Sequence, residues 1–352
     1  MLNRTRLLGA ASLMLILALT AVTIGCKKDN NPSNQSYQQV NLVSDVSLYS
    51  AGRIDVNLSN AWGIAFGPTG ALWIASNKKG LSTVYDGDGV QLLAPVVIPG
   101  GAPTGVVYNS TSDFVIAANG ETSKFIYVGE DGTISAWSSG LAALMVADRS
   151  ASNAVYKGVA IAKDGNNNFL YVANFKGNNI DVFDKSFNLI TTKAFDDASI
   201  PEGFAPFNIY EHNNKLYVTY AKLKSPNNVD DQSGAGNGFV NVFNPDGSFV
   251  KRFASQGTLN SPWAVVDAPT DFGLGSDRIL VGNFGDGRIN VYDDNGNYEG
   301  QLEDNGTAIT IGGLWALSFS DNDLSVGGRN RLFFTAGPNQ ENNGLFGYMK
   351  LR

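Results

Sequence analysis

Of the residue types most often used in nucleophilic, acid–base and metal chemistry, histidine and cysteine are scarce among the 352 residues. The chain has one histidine, His212, in the run Glu211-His212-Asn213-Asn214, and one cysteine, Cys26. A serine–histidine–carboxylate arrangement needs an imidazole held beside a hydroxyl, whereas the asparagines that follow His212 mark a polar turn and a solvated ring. No catalytic residue is assigned. Asp86-Gly87-Asp88-Gly89 and Asp293-Asp294-Asn295-Gly296-Asn297 resemble calcium loops in composition. Both lack the calcium-loop spacing with its closing glutamate, and turn chemistry accounts for them.

A second group of residues is suited to binding rather than reaction. Trp62, Phe207, Trp263 and Trp315 are large aromatics, and Asn174, Asn208 and Asn283 are neutral amides. Asp230 and Asp231 lie in the segment 221–237, 17 residues without apolar periodicity. Loops of that length are usually functional or disordered, so this one is either a lid or a passive surface loop. Aromatics with a few amides and acids suit a sugar or an aromatic-bearing ligand. The same aromatics serve equally as wedges between packed sheets.

The elements that carry these residues repeat. Trp62-Gly63-Ile64-Ala65-Phe66 matches Trp315-Ala316-Leu317-Ser318-Phe319, and Trp263-Ala264-Val265-Val266 is a third copy. Weaker copies are Thr104-Gly105-Val106-Val107, Lys157-Gly158-Val159-Ala160 and Phe207-Asn208-Ile209-Tyr210. Starts at 62, 104, 157, 207, 263 and 315 are spaced like the four-stranded blades of a propeller. Second apolar runs follow at 72–77, 114–119, 170–174, 279–283 and 332–337. Third runs end in Tyr or Phe with Asp or Asn, as in Val84-Tyr85-Asp86-Gly87 and Val242-Phe243-Asn244-Pro245-Asp246-Gly247, which is hairpin chemistry. Residues 141–148 are expected to form one short helical turn.

The expectation is therefore an all-β, six-bladed β-propeller over residues 37–352. The residue after each lead position is Gly63, Gly105, Gly158, Asn208, Ala264 or Ala316, small except at Asn208, as crowding of the innermost strands at the axis requires. The last repeat has three strands, so the run near 38–46 is expected to supply the fourth and close the ring, removing two open edges.

Ahead of this domain, Arg4 and Arg6 precede an apolar run, residues 7–24, that ends at Gly25-Cys26. This reads as a lipoprotein signal peptide over 1–25, with Cys26 acylated and 26–36 a flexible polar tether. Lys27 after the cysteine points to an outer-membrane lipoprotein, on the periplasmic side or the cell surface. Loss of Arg4 and Arg6 takes 25 basic residues to 23 against 32 acidic, a net charge of −9. That charge and the lack of a basic run argue against a nucleic-acid partner.

The chain resembles an uncharacterised family of secreted bacterial six-bladed propellers related to NHL-repeat proteins. The resemblance runs from Asn41-Leu42-Val43-Ser44-Asp45 to Leu345-Phe346-Gly347-Tyr348. Its most specific stretches are residues 60–66, 281–290 and 313–319, with Phe334-Thr335-Ala336-Gly337-Pro338-Asn339 a further one. The family carries no agreed activity. Lyases on related rings use a histidine near the axis, and no such histidine is expected here.

The function expected is a monomeric, membrane-tethered binding module for a protein or glycan, with no cofactor. The alternative is a calcium-assisted hydrolase or lactonase in the central channel, using Asn60, Asn174, Asn208 and Asn283; no metal ligand is assigned. The ligand face is expected where the innermost strands begin, with Trp62, Phe207, Trp263, Trp315, Asn174, Asn208, Asn283, Asp230 and Asp231. The opposite face is expected to offer little concave surface.

Overall fold

A computed structural model describes residues 35–320 and 330–352. Cys26 and the expected leader lie outside the described residues. The chain forms six blades around one axis; in blades one to five the strands are antiparallel and run in sequence from the axis outward. Blade one comprises Ala61–Phe66, Leu72–Ser76, Leu81–Tyr85 and Gln91–Val97. Blades three, four and five begin with Tyr156–Asp164, Phe204–His212 and Pro262–Ala268. The Asp/Asn-Gly runs form the expected turns: in one, Asp86 Oδ1 accepts the backbone N–H groups of Asp88 and Val90.

Closure comes from the N-terminal strand. Tyr37–Ser44 pairs antiparallel with Leu345–Leu351, outside Leu332–Ala336 and the innermost Leu314–Ser318. Tyr37 is fully buried, stacks on Phe272 at 4.7 Å between centroids and donates its hydroxyl to the Phe272 carbonyl. The first strand is thereby pinned to blade five as well as to blade six.

Blade two departs from the sequence expectation. Its second strand is Phe125–Gly129, not 114–119. The earlier run instead forms a small hairpin, Val115–Ile116 with Glu121–Thr122. Phe114 there takes a left-handed φ of 62° and buries its ring against Phe187 of blade three. Residues 141–148, expected as a helical turn, contain the outer strand Leu144–Asp148, which pairs with Thr133–Trp137.

The core is partitioned between the blades. Each interface carries its own apolar cluster, such as Leu170, Tyr156 and Ile134 between blades two and three, and Leu72, Tyr85 and Phe346 between blades six and one. At the axis, the innermost strands approach backbone to backbone. A Cβ on Gly63 would lie 2.6 Å from the Thr104 carbonyl oxygen, so only glycine fits. Polar side chains tie neighbouring blades there. Thr104 Oγ1 donates to the Tyr156 carbonyl at 2.9 Å, and the Thr335 hydroxyl donates to that of Trp62. Among the described residues no helix is long and apolar enough to cross a membrane.

Candidate functional site

The two faces of the ring differ. The upper face, where the innermost strands begin, also receives the loops between second and third strands. Trp62, Phe207, Trp263 and Trp315 meet there, but they are 1–5% exposed and form a plug rather than an open platform. Trp315 is sandwiched between Trp62 at 3.5 Å and Phe284 at 3.9 Å, with Trp263 edge-on at 6.1 Å and Phe207 at 6.0 Å. Large rings from blades one, four, five and six fill the axis because the small residues beside them leave it open.

On this plug sits an ionic cluster. Lys157 occupies the lead position that carries tryptophan in other blades, and its side chain is 2% exposed. Its ammonium lies 5.0 Å over the Trp62 ring and 2.5 Å from Glu130 Oε1 of blade two. Glu130 Oε2 accepts from Asn77 Nδ2 at 2.9 Å. Asn60 Nδ2 donates to Glu341 Oε2 at 2.8 Å and to Asn77 Oδ1 at 3.3 Å, while Asn60 Oδ1 accepts from Trp315 Nε1 at 2.9 Å. Blades one, two, three and six thus contribute to one network above the aromatics.

The backbone is strained to build it. Asn339, Gln340 and Glu341 are three consecutive residues with φ between 54° and 63°, and Asn60 has φ 48°. Left-handed non-glycine residues cost energy, and such outliers concentrate at functional sites. Gly337 lets Asn60 reach the plug, since a Cβ there would lie 2.1 Å from Asn60 Oδ1.

The carboxyls differ in electrostatics. Burial disfavours ionisation of Glu130, but the charge and hydrogen bond of Lys157, with the amide of Asn77, outweigh it and hold the carboxyl below its ordinary range. Glu341 is raised, chiefly by burial and further by Glu130, with Lys157 offsetting only part. Asp231 is raised by burial, relieved in part by the hydroxyls of Ser261 and Ser233 and by Lys157.

The remaining expected site residues have other partners. Asn174 Oδ1 accepts from Val155 N and Gly177 N, and Asn283 Oδ1 accepts from Asn260 N, so both amides cap turns. Asn208 Nδ2 donates to the Trp263 carbonyl at 2.9 Å. The loop carrying Asp230 and Asp231 is tied down by Gly234 N to Asn260 Oδ1 and Gln232 N to the Lys222 carbonyl. It brings Asp231 towards Lys157 and leaves Asp230 exposed.

Of the four asparagines considered for calcium, Asn60, Asn174 and Asn283 already use their side-chain oxygens to accept protein hydrogen bonds. Among the described residues no three His, Cys, Asp or Glu side chains converge as a metal site.

Sequence reasoning missed Lys157, Glu130 and Glu341. A lysine in a slot filled by large aromatics in four of the other five blades was the available signal. The lower face is also corrected: expected to offer little concave surface, it carries, among the described residues, the mouth of a cavity that runs up the axis to the plug. His212 is half-buried at that mouth, as the last residue of its strand, rather than solvated in a turn.

These features define a six-bladed β-propeller whose axis is plugged by aromatic rings beneath an ionic cluster. Solved structures of streptogramin B lyase (TM-score 0.53, 12% identity, 90% of this chain and 97% of that one) and of virginiamycin B lyase from Staphylococcus aureus (0.52, 13%, 90% and 99%) share the fold. At such identity the likeness speaks for the fold alone.

No family model matches the chain. It belongs to the same family as two uncharacterised proteins of Acanthamoeba polyphaga mimivirus. One is 36% identical over 329 residues, covering 88% of this chain and 79% of the viral protein. The other is 35% identical over 327 residues, covering 87% and 83%. These relatives are viral and give no support to the bacterial, secreted character that the sequence resemblance implies.

Proposed function

We propose that this protein is a tethered binding module whose upper face takes a ligand bearing a basic group, such as a lysine or arginine side chain on a protein partner. The observation that carries this reading is the unequal share of positive charge at the axis. Lys157 is committed to Glu130, while Glu341 and Asp231 remain raised by burial. Carboxyls in that condition are stabilised by an incoming cation, which returns the charge that water no longer screens. The left-handed run that aims Glu341 at the axis supports a binding role.

Tethering through an acylated Cys26 is part of the proposal, with the protein on an outer membrane. It rests on Arg4, Arg6, the apolar run and the Gly25-Cys26 junction. Tyr37 enters the ring on the lower face, beside Phe272 in the connection after the innermost strand of blade five. A tether there leaves the upper face pointing away from the bilayer.

The test is calorimetric titration of the purified protein with an oligolysine peptide and with neutral oligosaccharides. Saturable peptide binding, weakened about tenfold or more in Glu341→Gln and Asp231→Asn, supports the reading. Sugar binding with no response to the peptide overturns it.

A further inference from the structure

Below the plug, the six innermost strands enclose a cavity of about 810 Å3. Its upper end stops at Trp263 and Asn208, beneath the sealed aromatics, and its far end is ringed by Ser110, His212, Pro269 and Ser320. Among the described residues it is a blind cup whose mouth is on the lower face. From Asn208 to His212 the wall is four residues long, about 13 Å at about 3.3 Å per strand residue. The volume is within the range of small-molecule sites, roughly 300–1,000 Å3.

The wall and the mouth differ in chemistry. Ile64, Phe66, Val107 and Ile161 line the lumen and are only half-buried, so apolar surface faces the cavity. An apolar ligand that covers these side chains removes them from water, a favourable transfer. Polar groups gather at the mouth: Tyr210, Glu211, His212, Asp267 and Ser318. The Tyr210 and His212 rings lie parallel with centroids 6.2 Å apart, and the Asp267 amide donates to Tyr210 Oη at 3.3 Å. Glu211 Oε1 is already held by the Asn214 amide at 2.7 Å. Burial raises the Asp267 carboxyl; His212 offsets part of this and Asp277 adds to it. Among the described residues the charge at the mouth is therefore mainly acidic, with His212 the basic group beside it.

We propose that this channel is a second ligand site, for a small amphiphilic amine whose aliphatic body fills the lumen beneath Trp263 and whose ammonium sits beside Asp267. An anionic amphiphile of the same length meets Asp267 and Glu211 at the mouth and is disfavoured. The site is separate from the upper-face cluster, since the plug lies between them, and it stands whether or not that cluster binds a cation.

The probes are octylamine, octanoate and butylamine, each titrated calorimetrically into the purified protein. Octylamine is expected to bind at one per chain, with octanoate and butylamine each about tenfold weaker or more. Asp267→Asn should remove the preference for amine over carboxylate. Ile161→Trp, which fills the lumen, should abolish binding with an unchanged circular dichroism spectrum. If that variant does not fold, Ser318→Trp fills the same space from blade six. Absence of saturable octylamine binding to the wild-type protein overturns the proposal. So does equal affinity for octanoate, or octylamine binding that survives in a folded lumen-filling variant.

Discussion

Asn208 and Trp263 are joined across a blade boundary: the asparagine Nδ2 donates to the tryptophan backbone carbonyl at 2.9 Å. On its other side, Asn208 fills the space that Gly158 leaves, where a Cβ on the glycine would lie 2.0 Å from Asn208 Oδ1. The one side chain that breaks the small-residue pattern at the axis is thus a tie between blades three, four and five. Asn208→Ala leaves a buried carbonyl without its donor and should cost about 1–3 kcal/mol. A denaturation midpoint equal to that of the wild type would show that the tie contributes nothing.

Lys157→Met removes the cation that Glu130 faces. The expected loss is about 2–4 kcal/mol, below that of a fully buried pair because Glu130 is 30% exposed. Adding Glu130→Gln should recover part of it, since the double variant no longer leaves a charge unpaired. Additive losses in the double-mutant cycle would refute the coupling.

Stability should respond to pH through Glu341. Its native carboxyl is raised above the ordinary 4.5, so the folded state holds the proton more tightly than the unfolded chain. That contribution is full below about pH 4.5 and is lost as pH rises through the native value. Glu341→Gln, neutral throughout, should melt about 1–3 °C higher than wild type at pH 7. The gain should vanish below pH 4. A gain of equal size at both pH values would assign it to packing instead.

Ring closure depends on the first strand. Tyr37→Ala removes a fully buried, stacked ring and should destabilise by about 3 kcal/mol or more. Deleting residues 37–45 exposes the edge of Leu345–Leu351 and should give aggregation or loss of cooperative melting. A deletion variant that melts like the intact protein would contradict this.

Lipidation is checked by metabolic labelling with a fatty acid in a bacterial host. Cys26→Ser should abolish both the label and membrane association; a label that persists places the lipid elsewhere.

The repeat made the architecture legible from sequence. Five of six blades write a small residue after the lead position, and blades one, four and five write an Asp/Asn-Gly turn, because the blades meet the same crowding at the axis and similar hairpin geometry. A final repeat with only three strands implied that Tyr37–Ser44 completes it. What stayed ambiguous was local choice between equivalent apolar runs. Residues 114–119 and Phe125–Gly129 are both strand-like, and only the partner strand Pro103–Tyr108 selects the second. The ionic cluster was beyond reach for a different reason. Glu130, Lys157 and Glu341 are separated in the chain, and although Lys157 stands in a slot that is aromatic in most blades, nothing local marks the two glutamates as its partners. They meet only because the ring closes, bringing the upper loops of blades two and six to the lysine of blade three. Burial there, decided by the tertiary structure alone, separates the carboxyl that Lys157 holds charged from those left short of a cation.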